Sequence, residues 1–160
     1  MKEEVVVSAA ARDKVLEIGL LWHTFNHGNL GIDALARGHA NLLRRAAQKA
    51  SLSVHFISLG AGQNYLADLP ADVTIGPQPQ LKQLLKGNFD FLKAVAACDI
   101  VFDIGEGDSF TDIYGARRCM RLIATKLAVI ASGKPLVLAP QTIGPFENYL
   151  NGFRDRNHNK

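Results

Sequence analysis

VLEIGLLW, Val15 to Trp22, is apolar at nearly every position, broken by one acid, Glu17, and one glycine, Gly19. A strand with one wet face alternates apolar and polar residues. A run apolar on both faces suits a strand buried on both sides, as in a parallel sheet covered by helices. A glycine-containing loop follows, and Ile32 to Lys49 then carries Leu35, Leu42, Leu43 and Ala46 at helical spacing. The alternation repeats along the chain. Ser53 to Leu59 reads as a second strand and Val73 to Ile75 as a short third. Gln80 to Ala97 reads as a helix interrupted near Gly87 and Asn88. Asp99 to Asp103 reads as a fourth strand, Ala116 to Ser132 as a helix and Pro135 to Ala139 as a fifth strand.

Strand-helix alternation with buried strands predicts an α/β, Rossmann-like fold: a parallel five-stranded sheet with helices on both faces. Right-handed crossovers give the order 3-2-1-4-5 and set strands one and four side by side. Ligands of such sheets sit at the carboxyl ends of the strands, so the loops after Trp22, Asp103 and Ala139 carry the interest.

Composition bounds the rest. With 160 residues, 48% hydrophobic and 21% charged, the chain fits one globular domain. A net charge of +3 suits small anionic ligands. It falls short of the dense basic stripe of a nucleic-acid binder, so no nucleic-acid partner is expected. Cys98 and Cys119 read as buried small hydrophobes in a reducing compartment. The start lacks the pattern of a signal peptide, and no later run is long enough to span a membrane. The expected location is cytoplasmic, with no metal and no cofactor.

The first loop, HTFNHGNLGIDAL, runs from His23 to Leu35 around Gly28-Asn29-Leu30-Gly31. Its glycines would let backbone approach a ligand, and free amides at a helix start favour an anion. The plain alternative is a tight strand-to-helix turn in which Asp33 complements the helix dipole. His23 and His27 flank the loop and read first as solvated loop residues, with a catalytic or metal role as the lesser alternative. The second loop, Asp103 to Gly115, sets Gly105 and Gly107 among Asp103, Glu106, Asp108 and Asp112. So many carboxylates suit sugar hydroxyls or a divalent cation better than a phosphate. A helix cap by Asp108 or Ser109 is the alternative. The third loop, APQTIGPF, Ala139 to Phe146, holds Gln141 on a rigid Gly144-Pro145 corner. Its amide can read a hydroxyl or a carboxylate, unless the corner is only a connection.

In this order the three loops resemble the N-terminal half of the polysaccharide pyruvyl transferase family. The likeness rests on Gly28-Asn29-Leu30-Gly31 with Asp33 and Ala34, on Asp103-Ile104 through to Asp112, and on Pro140 to Phe146. It covers roughly Val15 to Phe146. The resemblance implies the N-terminal domain of a GT-B fold, with ligands held in a cleft between two Rossmann-like halves. It also implies transfer of a pyruvyl group from phosphoenolpyruvate to a sugar hydroxyl, as a ketal, in making cell-surface polysaccharides. Carried over residue by residue, it implies Asp112 and Asp33 as catalytic acids. Asn29, Gly31, Gly107, Asp108, Gln141 and Gly144 would then bind substrate.

Two departures from the family pattern stand out. Glu106 separates Gly105 and Gly107 where the family often has a third glycine, and no second half follows Phe146. The expected organisation is therefore a Rossmann-like domain over 1–147 and an irregular, loosely held tail over 148–160, with the second domain absent. A truncated transferase, inactive alone, would need a partner chain or self-association to cover the missing half. Arg117, Arg118 and Arg121, on the helix after the acidic loop, could serve phosphate and carboxylate, or simply make an exposed basic helix face. A non-catalytic glycan or nucleotide-sugar binding module and an inactive remnant are the competing readings.

Overall fold

A computed structural model of the chain describes residues 15–26, 28–59, 69–79, 86–105 and 115–140. Among them, five strands form one parallel sheet in the order β3-β2-β1-β4-β5. They are β1 (Val15–Leu21), β2 (Ser53–Leu59), β3 (Val73–Ile75), β4 (Ile100–Asp103) and β5 (Leu136–Leu138). Three helices accompany them: α1 (Leu30–Lys49), α2 (Asp90–Ala97) and α3 (Ala116–Ala131). This is the α/β, Rossmann-like architecture expected from the run at Val15 to Trp22, with the expected strand order.

β1 sits at the centre, paired to β2 along its whole length and to β4 from Ile18 to Leu21. The chain moves outward through β2 and β3, then returns across β1 to β4 and β5. Right-handed crossovers in opposite directions place their helices on opposite faces. The core divides accordingly. Ile18, Leu20, Phe56 and Ile104 pack with Ala36 and Ala40 of α1. On the other face Leu21, Leu59 and Val101 pack with Val95 of α2 and Leu122 and Val129 of α3.

Within β1 the two exceptions to the apolar run have separate causes. Glu17 lies opposite His55 of β2 in register, and its Oε2 is 2.6 Å from His55 Nδ1. Gly19 faces the α2 side, where an added Cβ would stand 3.0 Å from both Cys98 Sγ and a Val101 methyl. A side chain at Gly19 would overpack this layer.

Helix boundaries differ from the sequence reading in instructive ways. α1 begins at Leu30 rather than near Ile32, because Asn29 caps it: Gly31 N donates to Asn29 Oδ1 at 2.9 Å. The buried face of α1 is Ala36, Ala40 and Ala47 with Leu43 beside them, whereas Leu35 and Leu42 are exposed. Leu35 and Leu42 share the helical spacing without sharing the buried face. Small alanines win that face because they let the helix lie close on the sheet. Around Gly87 the chain is not helical: Gly87 has φ +78, and Asn88 Oδ1 accepts from Asp90 N at the start of α2, while the expected helix before it, over 80–85, lies outside the described residues.

Both cysteines are buried and free, as read from the sequence. Burial, with the Glu17 carboxylate nearby, pushes the Cys98 thiol up to about 11. The expected tail over 148–160 lies outside the described residues.

Candidate functional site

Parallel pairing brings the carboxyl ends of β1, β4 and β5 to one edge of the sheet. Leu21 of β1 is in register with Asp103 of β4, and Asp103 with Leu138 of β5. The pairing continues just past the strands, since Ile104 N donates to Leu21 O and Ala139 N donates to Asp103 O. The starts of the three loops singled out in the sequence are therefore neighbours.

Four residues after β1, Trp22 to Phe25, are fully buried although they belong to a loop. Trp22 turns the chain with φ 62, a left-handed conformation that is strained for a bulky residue. Its ring enters the α3 layer, where Nε1 donates to Thr125 Oγ1 at 3.0 Å and the Arg121 guanidinium lies 4.9 Å over the ring. Arg117 and Arg121 are exposed, as a solvated basic helix face requires.

His23 goes the other way, toward α1. Its Nδ1 lies 3.1 Å from Leu21 O and its Nε2 lies 2.8 Å from His39 Nδ1. A carbonyl oxygen only accepts, so Nδ1 of His23 carries the hydrogen and its Nε2 is the acceptor. Nδ1 of His39 must then be the donor, which leaves the lone pair of His39 on Nε2. Burial, followed by the neighbouring His39, lowers the His23 pKa to about 3, and burial also lowers that of His39. Both rings are neutral at neutral pH. Their planes are 20° apart with centroids 5.1 Å apart, the edge-to-edge arrangement of an in-plane hydrogen bond, and Phe102 meets His39 edge-on. Ser58 fixes the backbone beneath by donating to His23 O at 2.8 Å.

His39 opens onto a shallow depression of about 270 Å³. α1 supplies Ala34, Leu35, Gly38 and Leu42 alongside His39. Ile104, Ala139 and Pro140, just past the ends of β4 and β5, supply the opposite wall. Among the described lining residues His39 is the only polar side chain. Nearby, Thr24 Oγ1 is buried with no hydrogen-bond partner among the described residues. That arrangement costs about 1–3 kcal/mol.

The end of β4 is organised differently. Asp103 is fully buried; its Oδ1 accepts from Gly105 N at 2.7 Å, and its Oδ2 stands 2.7 Å from Lys126 Nζ of α3. The contact with Lys126 is an ion pair by proximity rather than a well-angled hydrogen bond. One of the loop's four acids is thus committed to the protein interior.

The described members of the expected site serve the loop itself. Asn29 is the α1 cap, and Gly31 lies in the first helical turn. Asp33 accepts from Asn26 N through Oδ1 at 2.6 Å and pairs with Arg37 Nε through Oδ2 at 2.9 Å. Arg37 also donates to Asn26 Oδ1. This clamp holds Asn26 at φ 54, a left-handed conformation that asparagine tolerates. Gly107, Asp108, Asp112, Gln141 and Gly144 lie outside the described residues, as do His27 and Glu106. Sequence reasoning missed His39 altogether. A histidine in the middle of a helix carries no motif, and only the fold brings it to His23.

The fold and this edge define an α/β protein of Rossmann-like design whose loops converge at the carboxyl ends of its central strands. Comparison with protein-family models, with curated proteins and with solved structures finds no match to the chain. Among the described residues no helix is long and apolar enough to cross a membrane, and no group of three or more His, Cys, Asp or Glu is placed to hold a metal ion.

Proposed function

We propose that the chain is a polysaccharide pyruvyl transferase-like protein that takes a sugar at the carboxyl edge of its sheet. In the complete reaction, phosphoenolpyruvate supplies the pyruvyl group and the sugar hydroxyls receive it as a ketal, in exopolysaccharide biosynthesis. One observation carries the reading: strand order 3-2-1-4-5 draws together the starts of the three loops on which the family resemblance rests. Asp112, Asp108 and Gln141 follow those starts in sequence and are assigned to the sugar, with Gly107 and Gly144 shaping the loops. Asp33 is assigned to holding the first loop, since both its oxygens are engaged there.

In this reading the carboxyl edge of the sheet is one wall of a cleft. Catalysis in such a cleft needs groups from both walls, for positioning and for exclusion of water. A partner chain or a second copy would complete it. Of a second reading, a non-catalytic glycan or nucleotide-sugar binding module, the depression beside His39 supports the glycan form, since its described lining has no charged side chain to grip phosphate.

Titration of the 160-residue chain with methyl hexopyranosides tests the sugar assignment. Weak, saturable binding that is lost when Asp112→Ala and Gln141→Ala are combined supports it. Unchanged binding in that double variant sinks it. Acceptor-dependent phosphate release from phosphoenolpyruvate separates the enzyme from the binding module.

A further inference from the structure

The His23–His39 pair belongs to no part of the family resemblance, yet it is the most constrained polar feature of the ligand-bearing edge. Each link has one available direction. The Leu21 carbonyl can only accept, so His23 must donate through Nδ1 and accept through Nε2; His39 must then donate through Nδ1. The relay ends at Nε2 of His39, to which no hydrogen bond is made among the described residues. The in-plane bond to His23 and the edge contact with Phe102 hold the ring in place. A histidine whose outer nitrogen is held as a bare acceptor by a fixed inner bond is arranged to receive a hydrogen-bond donor.

The surroundings narrow the donor. Leu35 and Leu42 of α1 are exposed although they lie on a helix that buries only small residues, and they flank His39 with Ile104 opposite. Neutral rings and apolar walls offer nothing to an anion. A volume of about 270 Å³ falls below the roughly 300–1,000 Å³ of sites for drug-sized ligands, which points to a single ring. A pyranose combines an apolar C–H face with hydroxyl donors.

We propose that Nε2 of His39 accepts a hydrogen bond from a hydroxyl of one pyranose ring, whose apolar face lies against Leu35, Leu42 and Ile104. The proposal rests on the sugar reading above and supplies it with a subsite that the family resemblance does not contain. His23 acts as a positioning residue: it fixes which nitrogen of His39 faces the ligand.

The test uses the full chain, ¹⁵N-labelled at histidine, with methyl hexopyranosides as probes. His39→Asn keeps an N–H to meet His23 Nε2 but has nothing at the outer position. His39→Gln extends an amide that can turn an acceptor outward. In the parent chain the Nε2 resonance of His39 should lie in the unprotonated range and move upfield as sugar is added. His39→Asn should weaken binding about five- to tenfold, as expected for one lost hydrogen bond, and His39→Gln should recover most of that loss. Sugar binding with no movement at Nε2, and His39→Asn within about twofold of the parent, would overturn the proposal. If that happens while Asp112→Ala with Gln141→Ala abolishes binding, the sugar reading stands and only the His39 subsite falls. If His39→Asn weakens binding and the double variant does not, the subsite stands and the loop assignment falls. No sugar binding at all removes both. Movement of the resonance by phosphoenolpyruvate in place of sugar would overturn the hydroxyl assignment.

Discussion

At the end of β1, His23 and His39 meet as neutral rings; at the end of β4, one strand away, Asp103 and Lys126 meet as charges. Both pairs join the sheet edge to a helix, and both use a fully buried residue, Asp103 at the end of β4 and His23 just past the end of β1. The histidines link to α1 and end in a bare acceptor beside an open depression. The ion pair links to α3, where Asp103 also accepts from Gly105 N. A buried charge demands compensation in the interior, while a neutral ring can leave one nitrogen for something else. Of two polar groups at one sheet edge, the charged one therefore suits structure and the neutral one suits a ligand.

The comparison is broken most severely at the charged pair. Lys126→Met should destabilise the fold by about 3–5 kcal/mol, because it strands a buried carboxylate without its ammonium. Adding Asp103→Asn should recover a large part of that loss, since an amide oxygen can still accept from Gly105 N. Urea unfolding of both variants measures the difference; equal losses would show that the two charges do not act as a pair.

Acid should reach the neutral pair by another route. The His23 pKa is about 3 when folded and 6.5 in an ordinary setting. The unfolded chain therefore binds the proton that the folded chain refuses, and stability is complete above 6.5 and falls as the pH drops toward 3. His23 alone should cost about 2 kcal/mol between pH 6.5 and about pH 5. His39, also lowered, adds in the same direction. Asp72, held below its usual value of 3.8 chiefly by its hydrogen bond from Arg44, contributes stability that is lost only at lower pH still. Unfolding free energies that stay flat from neutrality to about pH 5 would contradict the buried neutral pair.

The smallest effect sharpens the α3 side. Thr125→Val keeps the shape but leaves Trp22 Nε1 without its acceptor, and should cost about 1–2 kcal/mol. The acid response should be unchanged in this variant, because the histidines face the opposite layer. A shifted pH profile would show that loosening Trp22 changes the burial of the histidines through the peptide that joins Trp22 to His23.

The sheet was legible in the sequence because strand-like segments alternate with helical ones and β1, β4 and β5 carry apolar runs, and crossover handedness does the rest. The helices were legible as elements but less so as faces. Leu35 and Leu42 fit a helical period as well as Ala36 and Ala40 do, and close packing decides between them only in three dimensions. Of the site, the convergence of loops was readable from topology. The partnership of His23 with His39, sixteen residues apart, and of Asp103 with Lys126 was not, because neither pair has a local pattern. The contacts of Asp33 with Asn26, seven residues before it, and Arg37, four after it, were not readable either, because they follow no motif.

Trp22 and His23 are consecutive, yet one is fastened to α3 through Thr125 and the other to α1 through His39. A single peptide unit thus rivets two helical layers across the sheet between them. A displacement of α1 that preserves the histidine bond has to be taken up in that peptide or passed on to α3. With the chain already left-handed at Trp22, there is little slack to take it up. Anything that settles beside His39 would then be felt mechanically at Arg121 and the basic start of α3, through one joint rather than through the bulk of the core.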